Sequence, residues 1–235
     1  MQEVSVVIPN FNGMAYLDGV LSSLERQTIR NFEVILVDNG STDGSCAFVS
    51  AEYPWVHMIQ LPENYGFSRA VNEGIHAARS PYVLLLNNDT EVITPQWLEN
   101  LMGYCQREDV AIVGAKLLYP DNTVQHAGVV VGIAGFAGHI LTGYDRNAMG
   151  DLWRLGVAQD ESAVTGACLM VKRSVFDQLH GLDESFTVAL NDIDFCLRAR
   201  ALGKLVVFTP EACLYHYESK SRGMENTEEK QQRFK

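Results

Sequence analysis

The stretch Tyr82-Val83-Leu84-Leu85-Leu86-Asn87-Asn88-Asp89-Thr90 decides the fold. Five largely apolar residues with no polar alternation predict a strand buried on both faces, as in parallel sheets. Amide, amide and carboxylate then follow in a row. The C-terminal end of such a strand opens on the crevice where open α/β sheets bind ligands. Asp89 is therefore expected at a mouth, on a rigid support, with oxygen donors beside it. A hard cation bridging a diphosphate is held by one or two such carboxylates together with the phosphates. Asn and Asp also favour plain β-turns, so the stretch alone leaves both readings open.

The same pattern recurs on either side. Val4-Ser5-Val6-Val7-Ile8 reads as a strand ended by Pro9, and Glu33-Val34-Ile35-Leu36-Val37 as a strand that runs into Asp38-Asn39-Gly40-Ser41-Thr42-Asp43. Leu17, Val20, Leu21 and Leu24 repeat at helical spacing, so a helix is expected over about residues 15–27. Residues 45–53 look helical, and His57 to Leu61 is a short strand. Ser68 is a candidate cap for a helix with Val71, Gly74, Ile75 and Ala78 on one face. Thr94 and Pro95 are the expected start of another, with Leu98, Leu101, Met102 and Cys105 as its apolar stripe. Val110 to Gly114 closes this half as a strand. Strand and helix thus alternate four times, which predicts a doubly wound, mostly parallel sheet with helices on both faces. The polar strand ends at Pro9, Asp38 and Asn87 gather on one edge.

The segment from Lys116 to Glu161 shows no clear period. Gly128, Gly132, Gly135 and Gly138 do not follow the GxGxxG spacing of dinucleotide sites, so a mobile loop or irregular sheet is expected there. Order returns with a strand at Ala163 to Val171 and a short helix capped by Ser174 and closed by Gly181. A helix from Asp192 through Leu202 follows, ended by Gly203, then strands at 204–209 and 214–218. The organisation read from this is an α/β half at residues 1–115, a smaller mixed half at 116–218, and a polar tail at 219–235.

Composition narrows the classes. The 235 residues carry 29 acids against 18 bases, a net charge of -11. That excludes a broad nucleic-acid surface, which needs a basic stripe, but not a local phosphate site served by a divalent ion. Cys46, Cys105, Cys168, Cys196 and Cys213 are odd in number and unpaired in spacing, which argues against a disulfide framework or a zinc site. Met1-Gln2-Glu3 lacks a basic leader and the longest apolar run is too short to span a bilayer, so a cytoplasmic protein is expected.

Taken together, Val4 to Asn12, Val37 to Asp43, Asn87-Asn88-Asp89 and Asn191-Asp192 resemble, in order over roughly residues 4–220, the inverting family 2 glycosyltransferases, with rhamnosyltransferase-type members nearest. The resemblance implies the GT-A fold and a nucleotide-diphosphate-sugar donor of UDP, dTDP or GDP type. It implies that Asp38 binds the nucleotide base, with Pro9, Asn10 and Asn12 lining the base and ribose pocket and Gly66 and Arg69 near the nucleotide. Asn87-Asn88-Asp89 stands at the DXD position, so Asp89 is implied as metal ligand, with Asn87 and Asn88 toward ribose or phosphate. His216 matches a late histidine that reaches the metal or diphosphate. Asp192 is implied as catalytic base, with Gly166, Ala167 and Asn191 as donor-sugar or acceptor contacts; Trp153 and Trp97 are aromatic candidates for stacking on a sugar, core packing being the favoured reading of Trp97. Two amides replace acids in the DXD motif, and Asn191 replaces a glutamate.

The chemistry suits these residue types. One carboxylate serves as base for inversion at the anomeric carbon, and a divalent cation neutralises the departing diphosphate. An Asp plus His pair favours Mn²⁺, with Mg²⁺ also compatible. The implied acceptor is a glycan or polyprenyl-linked glycan in cell-surface polysaccharide synthesis, the latter placing the protein peripherally at the inner membrane face. The amide substitutions also allow a sugar-nucleotide-binding module without turnover. A nucleotidyltransferase lacks support, because Pro9-Asn10-Phe11-Asn12-Gly13 carries no base.

Overall fold

The structure, a computed structural model, describes residues 3–132, 137–186 and 189–217. The polar tail at 219–235 and Gly135 of the glycine-punctuated run lie outside the described residues. The first half runs β1 (Val4–Asn10), α1 (Met14–Glu25), β2 (Phe32–Asn39), α2 (Ser45–Glu52), β3 (His57–Leu61), α3 (Phe67–Ala77), β4 (Tyr82–Leu86), β5 (Thr90–Val92) and α4 (Trp97–Cys105). Then come β6 (Val110–Leu118), β7 (Val124–His126), β8 (Val129–Val131), β9 (Ala137–His139), β10 (Gln159–Asp160), β11 (Cys168–Lys172), α5 (Arg173–Gln178), α6 (Asn191–Ala201) and β12 (Leu205–His216).

A ten-stranded sheet orders these as β10-β12-β6-β11-β4-β1-β2-β3, with β5 paired to β12 and β7 to β6. Strands β3, β2, β1 and β4 are parallel, and so are β6 and β12. Burial explains the run without alternation. In β4, Leu84 and Leu86 pack on the layer of α1, α2 and α4, while Val83 and Leu85 pack on the layer of α3, α5 and α6. Each residue meets a helix on its own side, so neither face has to be polar. The result is a three-layer α/β/α body with its core split by the sheet.

Several local expectations are corrected. In the mostly parallel sheet, β11 runs antiparallel between β4 and β6. β1 continues through Pro9 to Asn10. It pairs with β4 only as far as Val7 but with β2 to Asn10, so the missing N–H lies beyond the last pair with β4. The N-caps are Gly66, Gln96 and Lys172 rather than Ser68, Thr94 and Ser174. Ser68 Oγ instead donates to the Phe186 carbonyl at 2.9 Å. The strand expected from Ala163 starts at Cys168. The pieces at 204–209 and 214–218 are joined in β12, whose register slips against β6 between Thr209 and Cys213. Pro210 sits in that bulge, where a residue without an N–H is tolerated. The irregular segment contains the hairpin β8–β9 and the short strand β7.

Parallel strand ends and helix starts meet at one edge. The C-terminal ends of β1, β2, β4, β6 and β12 all reach it, and so do the residues 165–167 that lead into antiparallel β11. Their position is held by packing. A Cβ on Gly114 of β6 would meet the Val164 side chain at 2.5–2.8 Å. Gly114→Ala is expected to lower the unfolding free energy by about 1–3 kcal/mol through overpacking. Adding Val164→Ala recovers part of the loss; urea unfolding of both variants reads this, and an unchanged midpoint for Gly114→Ala would contradict it.

Candidate functional site

The site is built at that edge from strand ends. A chain of side chains links β1, β2 and the loop after β4. Asn88 Nδ2 donates to Asn10 Oδ1 at 2.8 Å, and Asn10 Nδ2 donates to Asp38 Oδ1 at 3.1 Å. The backbone N–H of Ser41 donates to Asp38 Oδ2 at 3.1 Å, so both oxygens of this carboxylate, 3% exposed, are engaged. A Cβ on Gly13 would fall within 2.3 Å of the Asn88 and Asn10 amides. Asn12 takes φ of 49°, a left-handed conformation that Asn tolerates, and its Oδ1 accepts the Thr42 N–H at 2.8 Å. Pro9 is half-buried behind this row. Gly66 has φ of 89° at the start of α3, and its carbonyl accepts from Asn39 Nδ2. Arg69 lies over the Tyr65 ring at 4.1 Å and pairs weakly with Glu73 at 3.9 Å.

The second part is set by strand register. β5 pairs antiparallel with the end of β12, so that His216 stands opposite Thr90. The Tyr217 N–H donates to the Asp89 carbonyl at 2.9 Å and extends that pairing. Asp89 and His216 are thereby neighbours, 8% and 7% exposed, with Asp89 Oδ1 3.2 Å from His216 Nε2. Gln125 of β7 fixes the imidazole. Its Nε2 donates to the His216 carbonyl at 3.2 Å, which orients its Oε1 toward His216 Nδ1 at 2.7 Å. The ring proton therefore belongs on Nδ1, and Nε2 keeps a lone pair, 3.3 Å from the Asn87 amide nitrogen Nδ2, which donates to it, and 3.2 Å from Asp89 Oδ1. Two electron-rich atoms face each other there, and Asp89 Oδ1 and Asn87 Oδ1 are buried acceptors without a hydrogen-bond donor. A second ring proton turns the same contact into an ion pair; a divalent cation satisfies all the acceptors at once. Among the described residues no three His, Cys, Asp or Glu side chains cluster as a self-sufficient metal cage, so phosphate or water oxygens would complete such a shell.

The third part is Asp192, in the first turn of α6. Its Oδ2 accepts the Gly166 N–H at 2.9 Å and its Oδ1 the Ile193 N–H at 2.9 Å. Leu190 caps the helix with φ of 69°, a strained conformation for a bulky residue. Next in the chain, the Ala167 carbonyl accepts the Asn87 N–H at 3.0 Å. One turn thus holds Asp192 at Gly166 and Asn87 at Ala167. The neighbouring Asn191 leaves its buried Nδ2 without an acceptor.

Residues 5–179 match the family described as Glycosyl transferase family 2.

The chain belongs to glycosyltransferase family 2.

It is 37% identical over 94% of its length to the O-antigen biosynthesis protein RfbC of Myxococcus xanthus. It is 28% identical over 93% of its length to the N-acetylglucosaminyl-diphospho-decaprenol L-rhamnosyltransferase of Mycobacterium tuberculosis, covering 77% of that protein. It spans 18% of the Myxococcus protein and 26% of a 42%-identical uncharacterized relative from Sinorhizobium fredii. A mannosyltransferase of Pyrobaculum calidifontis solved with GDP-Man and Mn²⁺ superposes with a TM-score of 0.70 at 18% identity, over 94% of this chain and 58% of that one. The fold is that of GT-A glycosyltransferases.

Within this glycosyltransferase domain, Trp153 stands apart. It is 65% exposed on the one-turn helix Asp151–Trp153, beside Leu152 at 90%. Trp97 is fully buried in the core. A cavity of about 360 Å³ lined by Glu33, Trp55, His57 and Arg79 lies at the opposite ends of β2 and β3 and touches none of the residues above. Among the described residues no helix is long and apolar enough to cross a membrane.

Sequence reasoning missed three neighbours of the site. Tyr217 stacks on Tyr16 with ring centroids 6.5 Å apart. Burial, and then its bond to Glu91, push the Tyr217 phenol up to about 12. Gln125 and His126 fell in the segment without periodicity, and a three-residue strand leaves no pattern to find. His126 is fully buried; its Nε2 accepts the Thr165 N–H at 3.4 Å and its Nδ1 faces His139 Nδ1 at 2.8 Å. Burial, followed by the charges of His139 and His216, holds its pKa well below 6.5. The unfolded chain therefore takes up a proton that the folded chain refuses. Stability is flat above this range and falls as pH drops below about 6.5, by at most about 1.4 kcal/mol per pH unit for one proton. Urea unfolding at a series of pH values should show this slope reduced in His126→Gln; an identical slope in the variant would assign the effect to other groups.

Proposed function

We propose that the domain transfers a sugar with inversion from a nucleoside-diphosphate sugar to a hydroxyl of a glycan or polyprenyl-linked glycan. The observation that carries this reading is the turn at Gly166-Ala167, which ties Asp192 to the Asn87-Asp89-His216 corner. A base and a diphosphate-side corner on one turn suit a displacement in which the acceptor attacks opposite the leaving group.

Asp38, Asn10, Asn12 and Pro9 form the pocket for base and ribose, with Gly66, Arg69 and Asn88 at its border. Asp89 and His216 hold a divalent cation, Mn²⁺ or Mg²⁺, which when bound neutralises charge on the diphosphate. The Asp192 carboxylate takes the acceptor hydroxyl's proton as that oxygen bonds to the anomeric carbon and the sugar–phosphate bond breaks. A carboxylate has about four lone-pair sites, so two N–H bonds leave it room for that hydroxyl. Gly166, Ala167 and Asn191 border the donor sugar, and Trp153 offers an exposed ring to the acceptor. Residues 1–115 then serve the nucleotide and 116–218 the acceptor. The names of the Myxococcus and mycobacterial relatives support cell-surface polysaccharide synthesis and a lipid-linked acceptor, met at the cytoplasmic membrane face.

Two amides at 87 and 88 leave a single carboxylate at the cation, and this favours a second reading, donor binding without turnover. Donor turnover by the wild type decides between them. In the first reading Asp192→Asn lowers transfer by about 10²–10⁴-fold while the nucleoside-diphosphate affinity stays within threefold; transfer surviving within tenfold rejects the base. A thermal-shift screen of UDP, dTDP and GDP with Mn²⁺ is expected to raise the melting temperature with one of them. Asp89→Ala should abolish the Mn²⁺-dependent part of that rise, and a rise unchanged in the variant would remove Asp89 from the cation.

A further inference from the structure

Gln125 is buried, 4% exposed, and spends both ends of its amide on one residue. Nε2 donates to the His216 main-chain carbonyl at 3.2 Å and Oε1 accepts from Nδ1 of the same ring at 2.7 Å. Reversing the amide would set oxygen against carbonyl oxygen, so the two bonds fix one another. β7 is itself anchored on β6 through the pair Leu117↔His126, and β12 runs beside β6 along Leu214↔Leu117. The amide therefore bridges two strands that share a rigid neighbour.

We infer that Gln125 is a positioning residue that locks His216 in the Nδ1–H tautomer and aims the Nε2 lone pair into the acceptor corner formed with Asp89. This rests on the metal reading proposed above. Without the lock the ring can turn over or place its proton on Nε2, where it would bond Asp89 and close the corner to a cation. A metal-bound imidazole that donates its other N–H to a fixed acceptor is both oriented and made more basic, and removing such a partner costs about 10–100-fold in metal affinity.

The test needs no turnover. Long-range ¹H–¹⁵N spectra of the metal-free wild type should show His216 as the Nδ1–H tautomer, and a dominant Nε2–H tautomer would overturn the inference without any variant. Free Mn²⁺ is then followed by electron paramagnetic resonance in titrations with and without the nucleoside diphosphate that shifts the melting temperature. Gln125→Leu, which fills the space without hydrogen bonds, should bind about 10–100-fold more weakly. Gln125→Glu keeps an acceptor on Nδ1 but sets its second oxygen against the His216 carbonyl, so it should bind between the wild type and Gln125→Leu. A folded Gln125→Leu that binds Mn²⁺ like the wild type overturns the positioning role alone. A wild type that binds no Mn²⁺ under either condition overturns the metal reading, and the inference with it.

Discussion

The antiparallel pairing of β5 with the last three residues of β12 is the constraint on which the rest of the site depends. β5 is only three residues long, and its register places Thr90 against His216. Side chains alternate along a strand, so a slip of one position would turn His216 away from the carboxylate. Just before this pairing, β12 shifts register against β6 between Thr209 and Cys213, around Pro210.

The acids near the mouth are handled in different ways. Asp38 is fully supplied with N–H donors, from the Asn10 amide and the Ser41 backbone. Asp192 also receives two backbone N–H groups. Asp89 has an oxygen that is buried and unsupplied. Leaving such an acceptor without a partner costs about 1–3 kcal/mol or more, and folded proteins keep that arrangement where a ligand completes it. The difference separates a carboxylate whose oxygens are both supplied within the protein from one that keeps a buried acceptor open.

Much of this was legible in the residues. The apolar run at Tyr82–Leu86 forecast two-sided burial, and the strand ends at Pro9, Asp38 and Asn87 forecast a shared edge. What was not legible is long-range pairing. β11 is written 80 residues after β4 yet lies against it, and nothing local in Cys168–Lys172 states which strand it joins. β5 and β7 are too short to carry a period. Ser68, Thr94 and Ser174 have the right chemistry for caps, but Ser68 was taken by a tertiary bond and Gly66, Gln96 and Lys172 started the helices with no side-chain cap bond. His216 beside Asp89 followed from resemblance alone; the physical cause is the register.

The insertion of β11 between β4 and β6 has a consequence for how the chain reaches its native state. Until Cys168–Lys172 is in place, β4 and β6 each lack the antiparallel partner that fills the slot between them. Exposed apolar strand edges invite pairing with other chains. Closing the slot requires contacts of large sequence separation, which slows folding. The nascent protein therefore carries its most vulnerable surface at the centre of its eventual core, and it is the late arrival of Cys168–Lys172 that removes it.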